Sequence, residues 1–185
     1  RDAQFSELAE RQGWTPLFPP LRAAADVLGT VKPEVAAQCG LPVDCQVVCG
    51  IHDSNASYLK FLIGREQSAF TVVSSGTWTV VMTNGGVLSR LVEQKDMLAN
   101  VNAFRDPVPT ARYMGGREYE AIASGVDEPT LESVRAVIQQ GAMALPSFAA
   151  AGPFRGHEGV LLGAEHLTGV QRASLATVYA ASMTS

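Results

Sequence analysis

The chain has 185 residues, with 14 Lys and Arg against 18 Asp and Glu, so 14 − 18 leaves a formal charge of −4. Hydrophobic residues make up 46% and charged residues 17%, the latter below the roughly 25% of ordinary soluble domains, which excludes disorder and coiled coil. A mildly acidic chain without a run of Lys or Arg has no electrostatic footprint for a phosphate backbone or an anionic bilayer, so neither nucleic acid nor membrane is expected as a partner.

The length fits one domain or parts of two. No apolar stretch approaches the ~20 residues needed to span a bilayer, and Arg1-Asp2-Ala3-Gln4 lacks the apolar core of a signal peptide, so a cytoplasmic location is expected. The sequence opens without Met inside one helix-like pattern and stops at Ser185 inside another, which gives the expectation of a piece of a longer protein. Cys39, Cys45 and Cys49 form an odd set. With Gln46 to Ile51 as a strand, Cys45 and Cys49 lie about 13 Å apart, too far for one bridge or one metal. All three are expected to be reduced core thiols.

Residues 2 to 12 carry the spacing of an amphipathic helix ended by Gly13, and Trp14 to Pro20 predicts an extended turn, because each proline biases its predecessor away from helix. Leu21 to Leu28 and Pro33 to Cys39 read as short helices, the second opened by proline and closed by Gly40. The apolar run Gln46 to Ile51 predicts a strand buried on both faces of a parallel or mixed sheet. Asp53 or Ser54 can cap the helix that follows, through Ala56, Leu59 and Leu62.

Ala69 to Ser74 and Thr79 to Thr83 predict two strands joined as a hairpin by the small-residue turn Ser75-Gly76-Thr77-Trp78. Ala99 to Met114 reads as irregular with extended pieces. A helix is expected from near Gly116 through Glu120, another over Pro129 to Gln140 before Gly141, and loops over residues 144 to 168. Thr168 with Gln171 three later predicts a capping box for a last helix. Helices alternating with buried strands before Gly64 to Ser68, and a hairpin after it, point to an α/β architecture with a boundary there.

Two segments carry chemistry. Gly50-Ile51-His52-Asp53-Ser54-Asn55-Ala56 delivers a carboxylate to a strand end before a helix, where open α/β sheets bind ligands. Ser74-Ser75-Gly76-Thr77-Trp78 offers hydroxyls and backbone N–H groups to a phosphate, with glycine permitting close approach. A carboxylate base with a phosphate cradle suggests phosphoryl transfer. Plainer readings stand beside it: Asp53 as a helix cap, His52 as a hydrogen-bonded core group, Gly76 and Thr77 as turn residues, Trp78 as a core aromatic, Gly115 and Gly116 as a site of tight packing. Arg117, Glu118 and Glu120 read as a solvated helix face. Adjacent His52, Asp53 and Ser54 leave the strand in different directions without a nucleophile elbow, against a hydrolase triad. His52, His157 and His166 are too scattered for a zinc motif.

The pairing of Gly50 to Ala56 with Val72-Val73-Ser74-Ser75-Gly76-Thr77-Trp78 resembles the FGGY carbohydrate kinases, above all their rhamnulokinase and fuculokinase branch. The flanks agree: Gly13-Trp14, Leu17 to Pro20 and Val27-Leu28-Gly29 upstream, Met114 to Glu120 downstream. The resemblance implies an actin-like ATPase fold of two ribonuclease-H-like lobes, only partly represented. Residues 1–64 would then end the first, sugar-binding lobe and residues 65–185 begin the second, nucleotide-binding lobe. It implies ATP and Mg2+ as cofactors and a small-molecule sugar as acceptor. Asp53 would be the general base, His52, Asp53 and Ser54 the sugar contacts, and Ser75, Gly76, Thr77 and Gly115 the ATP contacts. The family's amino-terminal phosphate loop and its glycine-rich adenosine motif do not occur in the 185 residues, so this chain alone is expected to be inactive. The competing expectation is a catalytically inert fragment or interaction module that keeps the fold. Oligomeric state is not legible in the sequence, and a homodimer is carried as one expectation.

Overall fold

Capping and pairing chemistry set the elements of the computed structural model, which describes residues 4–185. The chain divides into two units, one holding the chain up to Glu66 together with Asn100–Val108, the other Gln67–Ala99 with Pro109–Ser185. The return of Asn100–Val108 to the first unit has no counterpart in any sequence signal.

In the first unit Ser6 caps α1 (Glu7–Arg11), its hydroxyl accepting from the Ala9 N–H. The expected helix over 2–12 is shorter, and its first residues lie outside the described ones. Within the expected turn over Trp14 to Pro20, Thr15–Leu17 form a single 3-10 turn. The expected helix over Leu21 to Leu28 is absent. The Asp26 carboxylate accepts the Ala23 N–H at 2.8 Å, a local turn that competes with helix, and Val27–Thr30 form strand β1. Helix α2 (Pro33–Cys39) starts on its proline and stops at Gly40, whose φ of 65° is the left-handed form glycine adopts without strain.

Strand β2 (Gln46–Val48) pairs antiparallel with β1 as a two-stranded ribbon and is exposed along its whole length, not buried on both faces as expected. Its apolar composition was the misleading signal: the local partner β1 satisfies its backbone, and no layer covers its side chains. Cys39 and Cys49 are exposed and Cys45 half-buried, so the three free thiols are not core residues. Helix α3 (Asp53–Leu62) buries Asn55, Tyr58 and Leu62. The Tyr58 hydroxyl is pushed up in pKa, first by burial and then by the Asp106 charge on the returning segment.

A four-stranded sheet has the order β3 (Phe70–Ser75), β4 (Thr79–Asn84), β6 (Pro107–Tyr113), β5 (Met97–Val101), and all of it but Asn100–Val101 and Pro107–Val108 belongs to the second unit. β3 and β4 form the expected antiparallel hairpin, in register from Phe70 with Asn84 to Ser75 with Thr79. β6 lies antiparallel to β4, Thr79 facing Tyr113 and Val80 facing Arg112. Helix α4 (Gly115–Ala123) follows β6 directly, and α5 (Leu131–Gln140) is held by a reciprocal cap between Thr130 and Ser133. The loops contain a short antiparallel pair, β7 (Met143–Leu145) and β8 (Val160–Leu162). The last helix, α6 (Gly169–Thr184), opens on the expected capping box of Thr168 with Gln171.

The core of this unit lies where α4, α5 and α6 meet: Ile122, Val137, Leu175, Ala176 and Tyr179 are buried together. Small residues at Ala173 and Ala176 let α4 and α5 approach the backbone of α6, and each large apolar side chain buried here contributes about 1.5–3 kcal/mol. Among the described residues no helix is long and apolar enough to cross a membrane.

Candidate functional site

His52, Asp53 and Ser54 open α3 after a bend at Gly50, whose φ is 78°. The cap is His52, not Asp53 or Ser54 as expected: its Nδ1 accepts the Ser54 N–H at 3.3 Å. The same Nδ1 lies 2.9 Å from Asp53 Oδ1. One nitrogen cannot accept from an amide and donate to a carboxylate at once, so the two contacts are alternatives. The Asp53 Oδ1 accepts the Ser54 N–H at 2.6 Å and the Ser54 hydroxyl at 3.3 Å. Its side chain is 90% exposed, and that of His52 74%. The sequence places an open carboxylate on the first residue of a helix, where the helix dipole favours negative charge. His52 is therefore not a core group.

Sequence reasoning passed over Asn55, which is buried two residues further on. Its amide donates to the Val101 carbonyl at 3.1 Å, tying the first turn of α3 to the returning segment, while its Oδ1 has no partner among the described residues. The amide cannot be flipped without setting oxygen against oxygen.

In the second unit Ser75, Gly76 and Thr77 form the exposed tip of the β3–β4 hairpin. The backbone N–H of Gly116 donates to the carbonyls of Gly76 at 3.1 Å and Thr77 at 3.3 Å, so the tip rests on the first turn of α4. A Cβ added at Gly116 would stand 2.5 Å from the Gly76 oxygen, and one at Gly115 2.1 Å from Thr79 Oγ1. Both glycines are thus demanded by the contact of α4 with the hairpin, the packing reading of this pair. At Gly76 itself an added Cβ would meet only the Trp78 oxygen, at 3.8 Å, an ordinary contact. Nothing within the chain requires glycine at that position.

Trp78 is half-buried rather than a core aromatic, and the Arg112 guanidinium lies 5.0 Å from its ring centre. Arg112 Nε also donates to Asp96 Oδ1 at 3.0 Å, and Asp96 accepts the Gly152 N–H at 3.2 Å. Glu118, expected on a solvated face with Arg117 and Glu120, is 1% exposed. It is hydrogen-bonded to the Tyr179 hydroxyl of α6 and, at 3.3 Å, to the Ser147 hydroxyl. Arg117 and Glu120 are exposed as expected. Burial pushes the Glu118 carboxyl above its ordinary range, against the two hydrogen bonds, which act the other way, and the Tyr179 hydroxyl is pushed up in turn. Among the described residues no group of three or more His, Cys, Asp or Glu could hold a metal ion.

A family model described as "Carbohydrate kinase FGGY, C-terminal domain" matches residues 67–185. The L-fuculokinase of Escherichia coli K12 is 41% identical over 66 residues, a stretch that is 36% of this chain and 13% of that protein. A carbohydrate kinase structure from Novosphingobium aromaticivorans is 32% identical with a TM-score of 0.74, covering 99% of this chain and 43% of that one. A xylulose kinase structure from Rhodospirillum rubrum, 20% identical with a TM-score of 0.55 over 88% of this chain and 35% of that one, shares the fold. The chain thus spans less than half the length of these relatives. With its α/β fold matched across nearly every residue and its second unit matched by the family model, the chain belongs to the FGGY carbohydrate kinases, enzymes of the actin-like ATPase fold.

Proposed function

We propose that this chain is part of an ATP-dependent kinase that transfers the γ-phosphate to a hydroxyl of a ketose or related sugar of the rhamnulose, fuculose or xylulose kind. The observation that carries the reading is the exposed Asp53 carboxylate on the first residue of α3, in a chain whose other conspicuous motif is a hairpin tip with a glycine its own packing does not require. The L-fuculokinase match supports the sugar class. Residues 1–64 then serve the sugar and residues 65–185 the nucleotide.

In this mechanism Asp53 accepts the proton of the sugar hydroxyl as that oxygen attacks the γ-phosphorus, so no free alkoxide forms. The bond from the γ-phosphorus to the bridging oxygen breaks, ADP leaves, and the proton on Asp53 passes to solvent. His52 and Ser54 line the sugar and orient the carboxylate. Thr77, with Ser75 and Gly76, holds the γ-phosphate through its hydroxyl and backbone N–H groups. Magnesium comes with ATP, and no step here depends on a protein ligand for it. The enzyme works in the cytoplasm.

The test is a coupled ADP-release assay of the full-length protein against a panel of ketoses and polyols, with Asp53→Asn beside the wild type. The variant should fold normally and lose about three orders of magnitude in kcat, since the base goes and the binding surface stays. Turnover near wild type would end the assignment, and no turnover with any sugar would favour the inert module.

A further inference from the structure

We propose that Glu118 is a positioning residue for the phosphate-binding turn: it fixes the roll and height of α4, and α4 fixes the backbone of Gly76 and Thr77. This rests on the reading of that turn given above. Gly115, Glu118 and Ile122 form the buried stripe of α4, at helical spacing. At the amino-terminal end of the stripe the helix meets the hairpin backbone to backbone. The Gly116 N–H serves two turn carbonyls, and neither Gly115 nor Gly116 leaves room for a single added carbon. With no side chain as a cushion, any roll or slip of α4 passes directly into Gly76 and Thr77.

Glu118 sits two residues after that contact. Its two carboxyl oxygens engage separate elements, Oε2 the hydroxyl of Tyr179 on α6 and Oε1 that of Ser147 in the loop after β7. Tyr179 is itself braced edge-on against Phe148, ring centres 5.6 Å apart, and Tyr113 ties β6 to α6 through a hydrogen bond to the Ala180 carbonyl at 3.2 Å. Directional bonds to two elements fix rotation about the helix axis, whereas apolar contacts tolerate sliding. A residue needed only to fill the core here would cost less as leucine, because burying a carboxyl carries a desolvation penalty. The Ser147 hydroxyl also lies 2.6 Å from the Ala149 carbonyl. The one hydroxyl proton of Ser147 is thus shared between Glu118 Oε1 and the Ala149 carbonyl.

The experiment uses the full-length kinase and three substitutions: Tyr179→Phe, which removes one hydroxyl and keeps the ring, Glu118→Leu, and Glu118→Gln. With ATP and whichever of rhamnulose, fuculose or xylulose turns over, Tyr179→Phe should raise KM for ATP and lower kcat by about threefold each, and Glu118→Leu by about tenfold. KM for the sugar should stay within about twofold, and Glu118→Gln should recover most of the loss. Hydrogen exchange of peptides covering residues 74–79 and 114–118 should quicken by about tenfold in Tyr179→Phe while α5 is unchanged. The exchange readout decides the matter whether or not a sugar is found or Glu118→Leu folds. A lower melting temperature with unaltered exchange at the turn and unaltered ATP kinetics would make Glu118 a core residue only and overturn the proposal. Thr77→Val run in parallel separates the two readings. If it leaves ATP use intact, the phosphate turn itself falls. If it impairs ATP use and Tyr179→Phe does not, the Glu118 proposal alone falls.

Discussion

Asp53 and Thr77 differ in what their surroundings ask of them. Asp53 shares the Ser54 N–H with the His52 cap and keeps its carboxylate exposed. Thr77 gives its carbonyl to Gly116 and leaves its hydroxyl on the exposed tip. Thr77→Val, equal in shape and lacking only the hydroxyl, should therefore leave the hairpin intact and lower kcat/KM for ATP by about tenfold or more, with sugar affinity unchanged in titration calorimetry. Equal loss of both would contradict the division of labour. Both residues were legible in the sequence because their neighbours are short, polar or glycine. The capping role of His52 was not, because histidine ranks low among cap residues and only the coordinates put Nδ1 over the Ser54 amide.

At the scale of elements, the junction of the β3–β4 hairpin with α4 organises the second unit. Gly116→Ala places a carbon against a backbone oxygen that cannot swing aside, so the helix or the turn must shift. The expected cost is about 1–3 kcal/mol, read as a lower denaturation midpoint, together with impaired ATP use. A midpoint equal to wild type would show that α4 yields freely. The hairpin, α2, α5 and α6 were legible because alternation, proline starts, glycine stops and capping boxes act within a few residues. β1 and β2 were not. Apolar composition predicts burial, yet a strand's exposure depends on which layers cover it, and no local signal encodes that. Glu118 was misread for the matching reason, since a charge in an apolar stripe reads as the edge of a solvated face.

For the whole molecule two outcomes follow. The raised Glu118 pKa means that the folded protein holds that proton more tightly than the unfolded chain. Its contribution to stability is complete below the ordinary 4.5 and is lost as pH rises through the folded value. Glu118→Gln, fixed in the neutral form, should melt with the wild type at or below about pH 4.5 and above it at higher pH. Parallel melting curves at every pH would refute this. If the proposed reading holds, the 185 residues assayed alone should give no sugar-dependent ADP release, because the phosphate loop and adenosine motif that the resemblance implies are not among them. Turnover by the chain alone would overturn that expectation.

Contiguous motifs carried the resemblance to the carbohydrate kinases and most helix limits, and they singled out Asp53 and Thr77 as candidates. Tertiary structure alone decided that Asn100–Val108 returns to the first unit, that Asn55 anchors there to Val101, and that Glu118 is buried against Tyr179. Those partners lie 46 and 61 residues apart. A polar side chain is worth burying only when such a distant partner arrives to satisfy it, and no spacing along the chain announces the arrival.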